Sequence, residues 1–344
     1  MKRSVMVLCL AVTLMFGFAA EGFSYKKYPG KGKVVDPGRA TWTTGFFQEA
    51  LFRKGLEELG YKVKRAKDLQ NPIFYQSLAL GDVDFWANGW FPNHDSQLPK
   101  NFYEKADKVG YIVKAGGLQG YLVSKREVDK FNIKSLEDFK RPEVKKAFDK
   151  NRDGKADLVA CPPGWGCEKV IGHHMEAYGL KKDINLVKAA YSASMAETVA
   201  RYSKGEPVFF YTWAPNWTTF RFKPGTDVMW INVPFITPLK SQLAGKDRMT
   251  VSDVVGAVTN PVKLGFVVSD IQVVANKTFM KRNPAAKRLF EVVKLPLVDI
   301  SAQNTKMFEG EDSTKDVKRH VDEWIAKNQS LWNYWLEEAR SAAN

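Results

Sequence analysis

Cysteine is scarce in this chain, with three among 344 residues, at positions 9, 161 and 167. Long apolar runs are absent after the first twenty residues. No later stretch approaches the roughly 18 uninterrupted apolar residues that a membrane-crossing helix requires, so the body of the chain is not read as membrane-spanning. A long basic block is missing too, although Lys and Arg outnumber Asp and Glu by 52 to 38. The densest cluster, Lys62 to Lys67, is short and runs straight into Asp68. Basic residues interleaved with acids make a solvated surface rather than a nucleic-acid footprint. No low-complexity stretch appears, so any two lobes are joined by structured strands and not by a flexible tether. No thiol-protease signature surrounds either late cysteine.

What is present is enough for a large core: 44% of the residues are hydrophobic and 13% of the chain is aromatic, a composition that disordered chains lack. The length favours two lobes. Residues 1–20 read as an export signal, with Lys2 and Arg3 before an apolar run from Val5 to Phe18 and small residues at Gly17, Ala19 and Ala20. Cys9 falls inside that segment, behind Val7 and Leu8, which are bulkier than a lipoprotein cleavage site prefers. The expected mature protein is therefore exported and periplasmic, with Cys161 and Cys167 left as a pair. An even count in an oxidising compartment predicts a disulfide, the alternative being two buried thiols.

That pair brackets the most informative stretch, Cys161-Pro162-Pro163-Gly164-Trp165-Gly166-Cys167-Glu168. A helical pattern follows through Val170, Ile171, Met175 and Tyr178 and stops at Gly179. The loop thus delivers Trp165 to a helix start whose free N–H groups belong to Gly166, Cys167 and their neighbours. Helix starts attract anions and an exposed indole face attracts cations, so one loop offers a seat for both ends of a zwitterion. Elsewhere the chain reads as strand (33–35), helix (43–59) and strand (61–65), the opening of an α/β lobe with a largely parallel sheet. A helix after Pro72 ends at Gly81, and a strand over 82–87 runs into Trp90-Phe91-Pro92-Asn93-His94. An echo comes at Trp213-Ala214-Pro215-Asn216, after the strand Val208 to Thr212. Both tryptophans are placed just past a strand's carboxyl end, where open α/β sheets bind ligands. Ser135 caps a helix start, Val267 to Asn276 reads as a strand feeding a helix over 283–294, and the tail is helical. The tail's tryptophans, Trp324 and Trp335, fall on an amphipathic face and belong to the core.

Trp90, Trp165 and Trp213 stand apart, because each lies in a turn-rich segment where periodicity gives a large ring nothing to pack on. Aromatic faces are the known solution for a quaternary ammonium, which cannot donate N–H hydrogen bonds. His94, in the Trp90 loop, is positioned to donate to a carboxylate. On these residues the chain resembles the ProX family, the substrate-binding proteins of ProU-type glycine betaine/proline betaine ABC uptake systems. The resemblance spans the mature chain. It includes Asn151 to Leu158 (Asn-Arg-Asp-Gly-Lys-Ala-Asp-Leu), Gly164 to Glu168, Tyr211 to Pro215, Val274 to Lys277, Asn283 to Ala286 and His320 to Trp324. It departs from the family pattern at Phe85-Trp86, Pro162 and Ala214.

The resemblance implies a type II periplasmic binding protein fold: two α/β lobes joined by two crossing strands, with a ligand cleft between them. Lobe I is expected over 25–117 and 268–344 and lobe II over 118–267, with the hinge near Gly120 to Val123 and Phe266 to Val274. Carried over by motif, Trp90, Trp165 and Trp213 enclose a trimethylammonium group, the first from one lobe and the others from the second. The His94 side chain and the Gly166 and Cys167 N–H groups take the carboxylate, and Cys161 pairs with Cys167. The implied protein is a monomeric binding component, not an enzyme. It needs no cofactor and delivers glycine betaine or proline betaine to a membrane permease and its ATPase. Rival readings are the same fold holding choline, proline or another zwitterion, and an exported thiol enzyme using Cys167. Asp149, Asn151, Asp153 and Asp157 have calcium-loop spacing with a glycine at Gly154, but Ala160 stands where the closing Glu belongs. An Asx-rich turn fits as well, and any ion there would be structural.

Overall fold

The computed structural model describes residues 27–343; the expected export signal at 1–20, with Cys9, lies outside them. The strand–helix–strand opening is present in shortened form. Val34–Val35 pairs in parallel with Lys62–Val63, and the helix Thr44–Glu58 connects them, burying Phe47, Leu51, Phe52 and Leu56. The next helix, Asn71–Leu80, carries Pro72 in its first turn and stops at Gly81, whose φ of 88° is the left-handed cap that glycine adopts freely.

The organising element is the strand Ala106–Ser124, 19 residues long. Its first part, to Gly117, pairs with Ser269–Asn276. From Leu118 onward it pairs with Phe209–Ala214 on one side and Val228–Ile231 on the other. The sheet order is Phe85–Phe91, Ser269–Asn276, Ala106–Ser124, Phe209–Ala214, Ala156–Val159 and Ile184–Val187, with Val228–Ile231 branching from the long strand. A largely parallel sheet was the expectation, and here the structure differs. Only Ala156–Val159 pairs in parallel within this sheet, with its two neighbours. Ser269–Asn276 runs antiparallel to both of its neighbours, Phe85–Phe91 and the first part of the long strand.

The tail folds as the helices Pro284–Val292, Leu297–Phe308, Thr314–Lys327 and Gln329–Ser341. Trp324 stacks on Trp335 with centroids 5.8 Å apart, and the Trp332 N–H donates to Glu58 at 3.1 Å. These rings are core, as their amphipathic spacing predicts. Ser135 caps a 3₁₀ turn, Leu136–Lys140, rather than an α-helix, in a reciprocal capping box with Asp138. Among the described residues no helix is long and apolar enough to cross a membrane.

Candidate functional site

The strand that carries Trp90 continues further than its sequence suggests. Asn88 and Gly89 look like a turn, yet the strand runs Phe85–Phe91 and Gly89 pairs with Gln272. Trp213 likewise lies inside Phe209–Ala214, opposite Gln119. Both rings are therefore the penultimate residues of strands, not residues beyond them, and ladder hydrogen bonds fix their backbones. Trp165 is the extended residue before the helix Gly166–Ala177. The loop leading to it is closed by the Cys161–Cys167 disulfide. It turns at Gly164, which has a φ of 84° and lies so close to the Gln70 side chain that a Cβ would overlap it.

These segments converge on one cavity, walled mainly by aromatic rings. All six residues singled out in sequence line it: Trp90, His94, Trp165, Gly166, Cys167 and Trp213. Four more wall residues escaped the sequence reading, namely Trp42, Asn93, Gln119 and Tyr211. Trp42 carries the signal that marked the others, a large ring in a Thr-rich connection ahead of a helix. Asn93 is part of the Trp-x-Pro-Asn echo itself.

The ring arrangement is tight and oblique. Trp165 meets Trp42 at 5.3 Å and Trp213 at 5.6 Å, near-perpendicular in the second case. Tyr191 backs Trp213 at 4.7 Å. Every indole N–H of the group is committed to a protein acceptor. Trp42 and Trp90 share Asn88 Oδ1, at 2.6 and 2.9 Å. Trp165 donates to Thr41 Oγ1 at 2.9 Å and Trp213 to Thr44 Oγ1 at 3.2 Å. With the N–H edges tied to protein, what remains for the cavity is π-face and apolar edge, a surface suited to a cation that has no hydrogen to donate.

The opposite character is found where the Gly166 helix begins. Trp165 supplies no side-chain cap, and the Gly166 and Cys167 amides have no hydrogen-bond partner among the described residues. Free amides at a helix start are an anion seat. A Cβ at Gly166 would come within 2.8 Å of both Asn93 Nδ2 and His94 Cδ2, so glycine here keeps the seat open.

His94 is buried on the cavity wall, but each ring nitrogen has a protein neighbour. Nδ1 lies 2.7 Å from the Tyr75 hydroxyl and Nε2 lies 3.1 Å from Asn71 Nδ2. Burial, reinforced by Lys108, pushes its pKa down to about 3, so the ring is neutral near pH 7. Two polar ends in the wall lack partners among the described residues: Asn93 Oδ1 and Gln119 Nε2. Gln119 spends its Oε1 on the Tyr211 hydroxyl at 2.7 Å.

The Asp149 to Asp157 loop is remote from this site. Asp149 accepts the main-chain N–H groups of Asp153 and Gly154 at 3.0 and 2.9 Å, Asn151 accepts that of Asp153, and Asp157 accepts from Lys150 and Asn185. The oxygens with calcium-loop spacing are thus engaged as an Asx-type turn. Among the described residues no group of three or more His, Cys, Asp or Glu is placed to hold a metal.

Comparison with known proteins places this geometry in context. Residues 33–327 match the model of the substrate-binding domain of ABC-type glycine betaine transport systems. The chain is 40% identical to the glycine betaine-binding periplasmic protein OusX of Dickeya dadantii over 99% of both chains. It is also 40% identical to a glycine betaine/proline betaine-binding periplasmic protein of Escherichia coli, again over 99% of both. In fold it is similar to the crystal structure of a glycine/betaine/L-proline-binding protein (ProX) from Borrelia burgdorferi. That match has a TM-score of 0.69 at 18% identity and covers 91% of this chain and 100% of that one. The type II periplasmic binding fold expected from the sequence is the fold observed.

Proposed function

The chain belongs to the family of substrate-binding domains of ABC-type glycine betaine transport systems, and on that premise we propose that it captures glycine betaine or proline betaine in the periplasm. It hands the ligand to a membrane permease driven by its ATPase, acting as a monomer after its export signal is removed. The observation that carries this reading is the cavity whose tryptophans have all turned their N–H groups into the protein. Such a wall offers a quaternary ammonium about 2 kcal/mol for each well-placed, desolvated face. Trp90, Trp165 and Trp213 hold the cation, and the His94 side chain with the Gly166 and Cys167 N–H groups holds the carboxylate.

The protein acts by closing, with 25–117 and 268–344 as one lobe and 118–267 as the other. Support comes from the long strand, whose last rung with Ser269 is at Gly117 and whose first with Ala214 is at Leu118. Further support comes from bonds that span this division. Besides the two indole bonds to Thr41 and Thr44, Gln97 donates to the Gly164 carbonyl at 3.2 Å and Lys169 to that of Ser96 at 3.0 Å. Ligand binding then drives the closure that a transporter reads.

Binding without turnover is the chemistry these residues favour. Cys167, the nucleophile of the rival thiol-enzyme reading, has its sulfur in the disulfide. Choline would fit the aromatic wall but leave the helix-start amides without an acceptor. The test is calorimetric titration with glycine betaine, choline and proline. Saturable heat is expected for betaine, weakened about thirtyfold in Trp213→Ala by the loss of one face. Absence of betaine binding, with heat from another zwitterion, would overturn the substrate assignment and leave the fold.

A further inference from the structure

Three rings of the ligand cavity have a second side. Trp42, Trp165 and Trp213 also line a neighbouring cavity, whose wall is continued by Thr41, Gln70 and Ser192. Those three are exposed while the tryptophans are buried, so the outer cavity opens to solvent and the rings stand between it and the inner one. Tyr191 adds a fourth ring to the outer wall, and among the described residues no charged side chain lines it. In a chain with a net charge of +14, an uncharged aromatic recess is a place where a quaternary ammonium meets ring faces and no repelling cation.

The three rings of this partition are not held alike. Trp213 belongs to the strand Phe209–Ala214, and Trp165 follows the loop closed by the disulfide. Trp42 lies in the connection before the helix Thr44–Glu58, where side chains set its place. Its N–H donates to Asn88 at 2.6 Å, and its ring meets Trp86 at 5.4 Å. It also meets Trp165 at 5.3 Å and His94 at 5.9 Å, edge to face in both cases. One indole therefore reaches from a ring at the cation end to the histidine at the carboxylate end. The separation of the two charges in a bound zwitterion is set against that single rigid wall.

We propose that Trp42 limits the length of the ligand, confining the inner cavity to zwitterions whose ammonium and carboxylate are separated by one carbon. The outer cavity is the space that a longer betaine would need for its cation, and Trp42 closes it off. The proposal rests on the betaine reading above and narrows it to a class, that of glycine betaine and proline betaine, against betaines with a longer chain between the charges.

The experiment is calorimetry with glycine betaine and γ-butyrobetaine, which is two methylenes longer, on wild type, Trp42→Ala, Ser192→Phe and the double variant. One surplus methylene against a fixed wall costs about ten- to two-hundredfold, so wild type should prefer glycine betaine by at least about tenfold. In Trp42→Ala that preference should fall at least about tenfold. γ-Butyrobetaine should bind more tightly than to wild type, and glycine betaine should lose up to about thirtyfold with one ring face. Ser192→Phe fills the outer cavity from an exposed position. It should leave glycine betaine within twofold on its own, yet cancel the γ-butyrobetaine gain when combined with Trp42→Ala. A wild type that holds both ligands within threefold, a Trp42→Ala preference within threefold of wild type, or a gain that survives Ser192→Phe would each overturn the proposal. If Trp42→Ala does not fold, Trp42→Leu, which keeps an apolar side chain in the core, decides by the same ratio. A wild type that binds neither betaine overturns the substrate reading and this assignment with it. Glycine betaine binding with an unchanged ratio overturns the length assignment alone.

Discussion

Asn88 touches no part of the cavity, yet its removal should damage the cavity more than most changes in the wall itself. Its Oδ1 accepts both the Trp42 and the Trp90 indole N–H, and its Nδ2 donates to Gln48 Oε1 at 2.6 Å. Asn88 and Gln48 are wholly buried. Replacing Asn88 with Leu keeps the volume and strands two indole donors and one amide oxygen. A stranded buried donor costs about 1–3 kcal/mol, so the two indoles alone imply about 2–6 kcal/mol. The added apolar burial of Leu returns part of that, and the net expectation is a loss of about 2–4 kcal/mol. Typical stabilities are about 5–15 kcal/mol, so the variant should fold but unfold at distinctly lower urea. Asn88→Asp retains an acceptor for both rings, and Gln48, whose Nε2 has no partner among the described residues, can turn to donate to it; the loss should be smaller. Freed of their common anchor, the two rings must also be ordered by the ligand, at roughly 0.5–1.5 kcal/mol each, so betaine affinity should fall about tenfold. A double-mutant cycle isolates the shared acceptor. Trp42→Phe deletes one of the two donors, and in the Asn88→Leu background it should be near-neutral or stabilising, giving a coupling of at least about 1 kcal/mol. Urea unfolding followed by circular dichroism measures each corner. Asn88→Leu within about 0.5 kcal/mol of wild type, or an additive cycle, would refute the reasoning.

Two further outcomes follow from the same geometry. His94 and His174 are both held near a pKa of about 3, chiefly by burial, against an unfolded value near 6.5. Both are neutral when folded, so their contribution is complete above about pH 6.5 and is lost as pH falls toward 3, at up to about 1.4 kcal/mol per pH unit for each ring. Asp84, pushed up to about 6 by burial, works in the opposite direction below pH 6. The clean comparison is the slope of unfolding free energy against pH in wild type and His174→Gln between pH 6.5 and 4.5. The variant should be less steep, and equal slopes would show that His174 does not titrate as its burial demands. Gly166→Ala places a methyl within 2.8 Å of Asn93 and His94; overpacking of about 1–3 kcal/mol should fall on the ligand seat, reducing betaine affinity about tenfold or more. Unfolding is expected to shift little, and unchanged affinity would mean that the seat lies elsewhere.

Local features were legible wherever the chemistry lies within one segment. The disulfide loop, the helix start at Gly166 and the isolated rings at Trp90, Trp165 and Trp213 all announce themselves within a few residues. What escaped depends on partners distant in the chain. Trp42 becomes part of the wall because Asn88, 46 positions away, holds its indole, and no window of sequence contains both. The strand Ala106–Ser124 was not read as one element because Gly110, Gly116, Gly117 and Gly120 interrupt its alternation. Its continuity is imposed by ladder partners on both sides. The same cause extended the Trp90 strand through Asn88 and Gly89, where turn propensity lost to pairing with Gln272. His94 was found by its type and place, but its role turns on Tyr75 and Asn71, which sequence does not connect to it.

The four indole anchors are of two kinds, and the difference bears on how binding is coupled to motion. Trp42 and Trp90 are fixed to Asn88, within the lobe proposed for 25–117, and their orientation does not depend on the other lobe. Trp165 and Trp213 donate to Thr41 and Thr44, across the proposed cleft, and can do so only when the lobes meet. Under the proposed closure, half of the wall is ready in the open protein, while the other half is aimed by closure itself. A ligand seated on the fixed half lowers the cost of bringing the second pair over it, and each indole bond made on closing orients a ring face toward the cation. On this account the closed state is favoured by ligand and protein bonds together, and neither Thr41 nor Thr44 need touch the ligand to affect its affinity.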